Sequence, residues 1–234
     1  MDEVKKAIES LKSINLNDRI DKLDIDKNDK VCLMICNPYF DDSDNELGQP
    51  VIEDGKLIEK IYLNKNYKVF NIVDASKEIF KDIYKKAITT ELEDFVVYYS
   101  GHGTNIPDDE GSEEDGQDEC LVFKDGLITD DYLSSKFENC VCKEIFFIFD
   151  CCHSGTLAYI EHLKQNNINL KVSSISGCAD NECSVQLRNN GIFTYYINRY
   201  QNQPIKDIIT KTNSFTSKYN QHLQIGGLRC CLCK

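Results

Sequence analysis

Positive charge is scarce in this sequence. Across 234 residues, 27 Lys and Arg stand against 39 Asp and Glu, a formal net charge of −12. Nucleic acid and anionic membrane surfaces are held by clustered Lys and Arg, so neither is expected as a partner. Long apolar runs are also missing. None approaches the roughly 20 residues that a membrane-spanning helix needs. The acidic, amphipathic opening lacks the marks of a secretory signal or a transit peptide, which makes the cytoplasm the expected location. Prolines number four, and the first strand-like run already begins at Val31, so no zinc-finger or proline-rich module is expected ahead of it. Zinc spacing is absent as well: Cys140-Val141-Cys142 and Cys230-Cys231-Leu232-Cys233 lack the paired pattern of a structural site. No stretch combines the glycine and final glutamate of an EF-hand loop.

What is present points to an enzyme with a full core. Hydrophobic residues make up 41% of the chain, and this length allows one or two domains. Twelve cysteines without a signal peptide read as reduced thiols rather than a disulfide framework. Strand and helix patterns alternate. Strands are predicted near Val31–Cys36, Tyr67–Val73, Phe95–Tyr99, Glu144–Phe149 and Val172–Ser176, with a last one at His222–Ile225. Helices are predicted over Ile52–Tyr62, over Ser76–Thr89 with Ser76 as cap, from near Asp131, over Thr156–Lys164, Phe193–Tyr200 and Ile205–Tyr219. The fold class that follows is α/β: a three-layer α/β/α sandwich around a mostly parallel central sheet.

Two of these runs stop abruptly at reactive side chains, at Tyr98-Tyr99-Ser100-Gly101-His102-Gly103 and at Phe149-Asp150-Cys151-Cys152-His153-Ser154-Gly155. If the two strands are parallel neighbours, both ends open on one sheet edge, where α/β proteins bind ligands. His102 and Cys152 would then share a cleft. The thiolate is the nucleophile, and a free cysteine with a pKa of about 8.5 is little ionised at neutral pH, so a neighbouring imidazole is needed as base. Small residues beside both groups let backbone amides approach a substrate carbonyl, and the amides of Gly103 and Cys152 are the expected oxyanion hole. Cys151 is expected to point into the core, since strand residues alternate faces. His153 lies too close along the backbone to act as the base, and His162 and His222 read as ordinary surface or core residues.

The motifs Tyr-Ser-Gly-His-Gly and Asp-Cys-Cys-His-Ser-Gly resemble the two catalytic motifs of metacaspases, a caspase-like family of cysteine peptidases, with Cys151 where that family often has serine. His102 and Cys152 stand 50 residues apart, and in caspases the histidine lies about 50 residues upstream of the cysteine. The resemblance extends from Val31 to Gln224. It takes in Asp115-Gly116-Gln117-Asp118-Glu119-Cys120, Leu127-Ile128-Thr129-Asp130-Asp131, Ser174-Ile175-Ser176-Gly177-Cys178-Ala179-Asp180 and Gly191-Ile192-Phe193-Thr194. On this basis residues 1–30 are a short extension, 31–165 a larger catalytic portion and 170–234 a smaller portion of the same domain.

The resemblance implies a Cys-His endopeptidase that acts on proteins or peptides after Arg or Lys. It maps the basic-residue pocket onto Asp54, Ser100 and Asp150, with Glu53 as a competing candidate for the first position. It also implies calcium, through Asp118, Asp130 and Asp131. The family's fourth calcium aspartate is replaced here by Tyr159. A monomer is implied, as is self-cleavage near Lys164 or Lys171, against which an uncut polar loop at Gln165–Asn169 is the simpler expectation. The acidic stretch Asp41–Glu46 reads as a solvated, mobile loop. The alternative to a peptidase is a catalytically silent scaffold or regulator of the same fold, although neither nucleophile, base nor pocket acid is missing.

Overall fold

The computed structural model describes residues 2–108, 116–152, 154, 157, 169–179, 182–187 and 189–226. Its strands are β1 (Ile14–Asn15), β2 (Lys30–Cys36), β3 (Lys68–Val73), β4 (Asp94–Ser100), β5 (Gly103–Pro107), β6 (Gln117–Phe123), β7 (Gly126–Thr129), β8 (Glu144–Asp150), β9 (Lys171–Ser176), β10 (Gln186–Leu187), β11 (Asn190–Gly191) and β12 (Gln224–Gly226). The helices are α1 (Glu3–Ser10), α2 (Gln49–Asn64), α3 (Lys77–Ile88), α4 (Asp130–Ser134), α5 (Ile192–Tyr200) and α6 (Ile205–Thr216).

Among the described residues the main sheet runs β1-β3-β2-β4-β8-β9-β12, parallel throughout except for β12, which lies antiparallel on β9. Its central strands are unbroken apolar runs because both faces are covered. The period of two sorts them. Val31, Leu33, Ile35, Phe95, Val97, Tyr99, Ile145, Phe147 and Phe149 pack with Phe80, Ile83 and Tyr84 of α3. Cys32, Met34, Cys36, Val96, Tyr98, Phe146 and Ile148 face Val51, Ile52 and Ile58 of α2 and Phe193 and Ile197 of α5. The result is an α/β/α sandwich with a core on each side of the sheet. Each such side chain contributes roughly 1.5–3 kcal/mol relative to exposure. Among the described residues no helix is long and apolar enough to cross a membrane.

The helix ends follow local chemistry. The Ser76 hydroxyl accepts from Ile79 N at 3.3 Å and opens α3, while Thr129 caps α4 through Tyr132 N at 3.0 Å. Pro50 sits in the first turn of α2, where its missing N–H costs nothing. The expected helix over Thr156–Lys164 lies outside the described residues apart from the buried Leu157, and His153, His162 and the cysteine run 230–233 lie outside them too.

Three pieces of sheet escaped the sequence. β1 is two residues within a polar stretch, paired in parallel with β3 through Ile14↔Phe70 and Asn15↔Asn71. β5 carries no apolar alternation; it pairs with β6, and β6 with β7, in a small antiparallel sheet that starts immediately after His102. β10 and β11 form a two-residue hairpin beside the sheet. Residues before β2 also enter the core: Leu16 and Leu23 are buried on one face of the sheet, Ala7 and Leu11 on the other.

Candidate active site

β4 and β8 are parallel neighbours in register, Ser100 opposite Asp150, so the chain leaves the sheet at the same edge on both. The two motifs follow at once. His102 and Cys152 line one cleft of about 250 Å³, together with Asp54, Ser100, Asp150, Ser184 and Gly191. Cys151, one residue earlier, is buried in the core on the α3 face.

His102 is held from three directions. Its Nε2 lies 2.8 Å from the backbone carbonyl of Asn45. A carbonyl only accepts, so Nε2 carries the proton and Nδ1 keeps the lone pair that a base needs. The ring stacks on Tyr39 with centroids 4.9 Å apart. Its own amide donates to the Tyr39 hydroxyl at 2.9 Å, and the Tyr99 hydroxyl donates to its carbonyl at 2.6 Å. Tyr39 is fixed in turn by Asp74, whose carboxylate accepts the amides of Tyr39 and Phe40 at 2.8 and 3.1 Å.

The role of Asn45 corrects the expectation for the first acidic stretch. Residues 41–46 are exposed, as a solvated loop should be. Even so, turns bind them to the strand end, through Asp42 N to Tyr39 O and Leu47 N to Pro38 O. The Asp42 carboxylate accepts from Asn45 Nδ2 at 2.8 Å and Asp44 N at 3.3 Å. The hydrogen bond from Asn45 holds that carboxyl below the usual range. The signal for this role is positional: the stretch follows β2, which borders β4, so it emerges at the same sheet edge as His102.

Cys152 is half-buried, and its sulfur accepts a hydrogen bond from Ser184 N at 3.2 Å. Burial pushes the thiol up and the Ser184 amide opposes that shift. Gly103 passes so close that a Cβ there would lie 2.0 Å from the Cys152 carbonyl oxygen. Only glycine permits that approach.

Two buried carboxylates form the floor. Asp54 on α2 accepts from Asn190 Nδ2 at 2.9 Å and Gly191 N at 2.8 Å. Asp150 at the end of β8 accepts from Thr194 Oγ1 at 2.6 Å and Ser184 Oγ at 3.2 Å. Burial and then the Asp150 carboxylate push Asp54 up to about 8, and burial raises Asp150 as well. The competing Glu53 turns away, bound to Lys56 at 2.8 Å and to Gln49 at 2.9 Å. Ser100 is buried beside Asp150, and its carbonyl accepts from Asn37 N at 2.9 Å. Asn190, Thr194 and Ser184 are partners that the sequence did not single out.

The three aspartates expected to take calcium lie away from this floor. Asp118 is on β6, and Asp130 is buried at the start of α4 with its Oδ1 accepting Asp131 N at 3.0 Å. Among the described residues no group of three or more His, Cys, Asp or Glu is arranged to hold a metal ion. Tyr159 and Lys164 lie outside the described residues, and Lys171 is exposed at the start of β9. His222 is not an isolated ring: its Nδ1 pairs with the buried Glu182 at 2.5 Å.

Residues 29–231 match the family model of the caspase domain, Peptidase_C14. The chain is similar to metacaspase III c of Phaeodactylum tricornutum, 37% identical over 83 residues that cover 32% of this chain and 25% of that protein. It is similar to metacaspase-2 of Trypanosoma brucei brucei, 29% identical over 121 residues covering 41% and 35%, and to metacaspase-6 of Arabidopsis thaliana, 48% identical over 65 residues covering 26% and 17%. The matches thus span about a third or less of each relative. Among solved structures, protein GSU0716 from Geobacter sulfurreducens superposes with a TM-score of 0.67 at 19% identity, covering 88% of this chain and 96% of that one. Caspase-1 from Spodoptera frugiperda superposes at 0.64 with 12% identity, covering 87% and 88%. These likenesses show the fold.

Proposed function

The chain belongs to the caspase-domain family of peptidases, and from that premise we propose that it is a cysteine endopeptidase cleaving proteins or peptides after Arg or Lys. One observation carries the reading: His102 and Cys152 share a cleft whose floor is two buried carboxylates, Asp54 and Asp150.

The chemistry follows from the partners of each group. His102 Nδ1, free to accept because Nε2 is committed to Asn45, takes the Cys152 proton as the sulfur attacks the scissile carbonyl. The amides of Gly103 and Cys152 receive the developing oxyanion. The imidazolium then protonates the departing amine, leaving a thioester at Cys152. Water, deprotonated by the same histidine, releases the acid and restores the thiol. The Asn45 carbonyl stabilises the charged ring while it holds the proton.

Specificity comes from the floor. A guanidinium or ammonium entering between Asp54 and Asp150 displaces the proton of the raised Asp54 carboxyl and makes charge-assisted bonds, with Ser100 beside them. An acidic P1 side chain would meet two carboxylates. Calcium is the cofactor that the family resemblance suggests.

The test is hydrolysis of matched fluorogenic peptides with P1 Arg, Lys or Asp, with added calcium or with chelator, and Cys152→Ala as blank. The expected result is cleavage after Arg and Lys only, abolished in the blank. Asp54→Asn is expected to lower kcat/KM for P1 Arg by about 2–5 kcal/mol, roughly 30-fold or more. Preference for P1 Asp would overturn the pocket, and no cleavage in any arm would favour a silent scaffold of the same fold.

A further inference from the structure

The cleft holds a second thiol that the proposed hydrolysis does not use. Ser184 N donates to Cys152 Sγ at 3.2 Å, and the residue before it is Cys183, whose Cα lies two bonds from that same nitrogen. That contact sets the Cys183 backbone beside the Cys152 sulfur, close enough for the Cys183 thiol to act on it. Both are free, Cys183 exposed and Cys152 half-buried. Residues on either side of Cys183 are pinned. Glu182 accepts from Ala179 N at 3.1 Å and His222 N at 2.6 Å, and Val185 N donates to Gln221 Oε1 at 3.0 Å. The loop therefore presents Cys183 to Cys152 in a fixed position. The other neighbouring thiols are turned elsewhere: Cys178 is buried and donates to the Cys151 carbonyl at 2.9 Å, and Cys151 is buried in the core.

We propose that Cys183 and Cys152 are a redox modification site, closing to a reversible disulfide across the mouth of the cleft. Disulfides need their Cα atoms within about 7 Å and their side chains directed together, and the bond from Ser184 N to the Cys152 sulfur brings the adjoining Cys183 backbone within that reach. The oxidant class is a hydroperoxide. The exposed Cys183 thiolate attacks the peroxide O–O bond, becoming a sulfenic acid and releasing one water or alcohol. His102 takes the Cys152 proton, and the resulting thiolate attacks the Cys183 sulfur. The S–S bond forms, the S–O bond breaks, and the leaving hydroxide recovers the proton from His102 as a second water. Two thiols have given two electrons to one peroxide. A dithiol reverses the bond by exchange. The consequence for activity rests on the peptidase reading, since the sulfur that is capped is the proposed nucleophile, but formation of the bond does not.

The experiment treats the reduced full-length chain with hydrogen peroxide, blocks remaining thiols with iodoacetamide and maps the digest by mass spectrometry. A peptide pair joined through Cys152 and Cys183 is expected, lost on dithiothreitol, with cleavage of the P1 Arg peptide falling on oxidation and returning on reduction. In Cys152→Ala, dimedone should trap a sulfenic acid at Cys183. In Cys183→Ser, the linked pair should be absent. Cys183 recovered as a free, alkylated thiol from the peroxide-treated parent, or Cys152 joined to Cys151 or Cys178, would overturn the proposal. A reduced parent that cleaves no peptide counts against the peptidase reading alone, because the mapping still decides the bond.

Discussion

Asp54 and Asp150 converge on the backbone of Gly191: a Cβ built there would meet Asp54 Oδ2 at 3.1 Å and Asp150 Oδ2 at 2.9 Å. Two buried like charges this close cannot both ionise cheaply, and Asp54 is pushed up to about 8 from its ordinary 3.8. A carboxyl raised on folding stabilises the empty protein fully below its unfolded value. That contribution is lost as pH rises from about 4 through about 8. A bound cation reverses the preference, because it pairs with the ionised form. Agmatine, a guanidinium without a scissile carbonyl, should therefore bind more tightly as pH rises from about 6 to about 8 and release a proton on binding below that point. Calorimetry in buffers of different ionisation enthalpy measures both. An affinity flat with pH, with no proton released, would show that the pair is not the cation site.

How much of this was legible in the sequence depends on where the information lies along the chain. The β4 and β8 runs and the residues that end them are local, and a stretch such as Ile145-Phe146-Phe147-Ile148-Phe149 has few alternatives to a strand covered on both faces. The helix that begins at Ser76 announced its cap. What the sequence did not reveal is contact between distant segments through backbone groups. The carbonyl of Asn45 on the ring of His102 and the amide of Gly191 on Asp54 leave no mark on residue type, because every residue has a carbonyl and nearly every one an amide. Tyr39 is intermediate. Its position after β2 was readable, but its hydroxyl beneath the His102 amide depends on how far a side chain reaches across two strands.

The Asn45 contact can be probed through the side chain that shapes its turn. Asp42→Ala removes the acceptor of Asn45 Nδ2 and Asp44 N and so loosens an exposed turn. Misorientation of His102 should then show as a fall in kcat of roughly fivefold with KM little changed. Asp42→Asn keeps an acceptor oxygen and should recover part of the rate. Unchanged kcat in both variants would mean that the turn does not orient the imidazole.

Glu59 ties the N-terminal segment to α2. Its Oε1 accepts from Lys12 N at 2.8 Å, Ser13 N at 2.6 Å and Ser13 Oγ at 2.6 Å, just ahead of β1. Glu59→Ala strands these donors and should lower the unfolding free energy by about 2–4 kcal/mol, read from urea denaturation. Glu59→Gln, which retains one acceptor oxygen, should fall between. A loss below about 0.5 kcal/mol in Glu59→Ala would mean that β1 and the residues before it contribute little to the folded state.

Gly103 offers the sharpest steric test of the cleft. An alanine there would set its Cβ 2.0 Å from the Cys152 carbonyl oxygen and 3.2 Å from Cys151 Sγ. The first obstacle is backbone that cannot swing aside, so the segment bearing the nucleophile must shift. Gly177→Ala is the matched control. It adds the same methyl near the same floor, yet its nearest contacts are Phe193 Cγ at 3.4 Å and Asp150 Oδ1 at 3.5 Å, both ordinary van der Waals approaches. Overpacking at Gly103 should cost about 1–3 kcal/mol in stability. Displacement of the oxyanion donors should cost a further 100-fold or so in kcat/KM, with Gly177→Ala close to the parent in both. Alkylation of Cys152 by iodoacetamide supplies a readout that needs no substrate, and it should slow in Gly103→Ala alone. If Gly103→Ala cleaves and alkylates like the parent, the Gly103 amide does not serve the oxyanion and the donors must be sought elsewhere along 100–103.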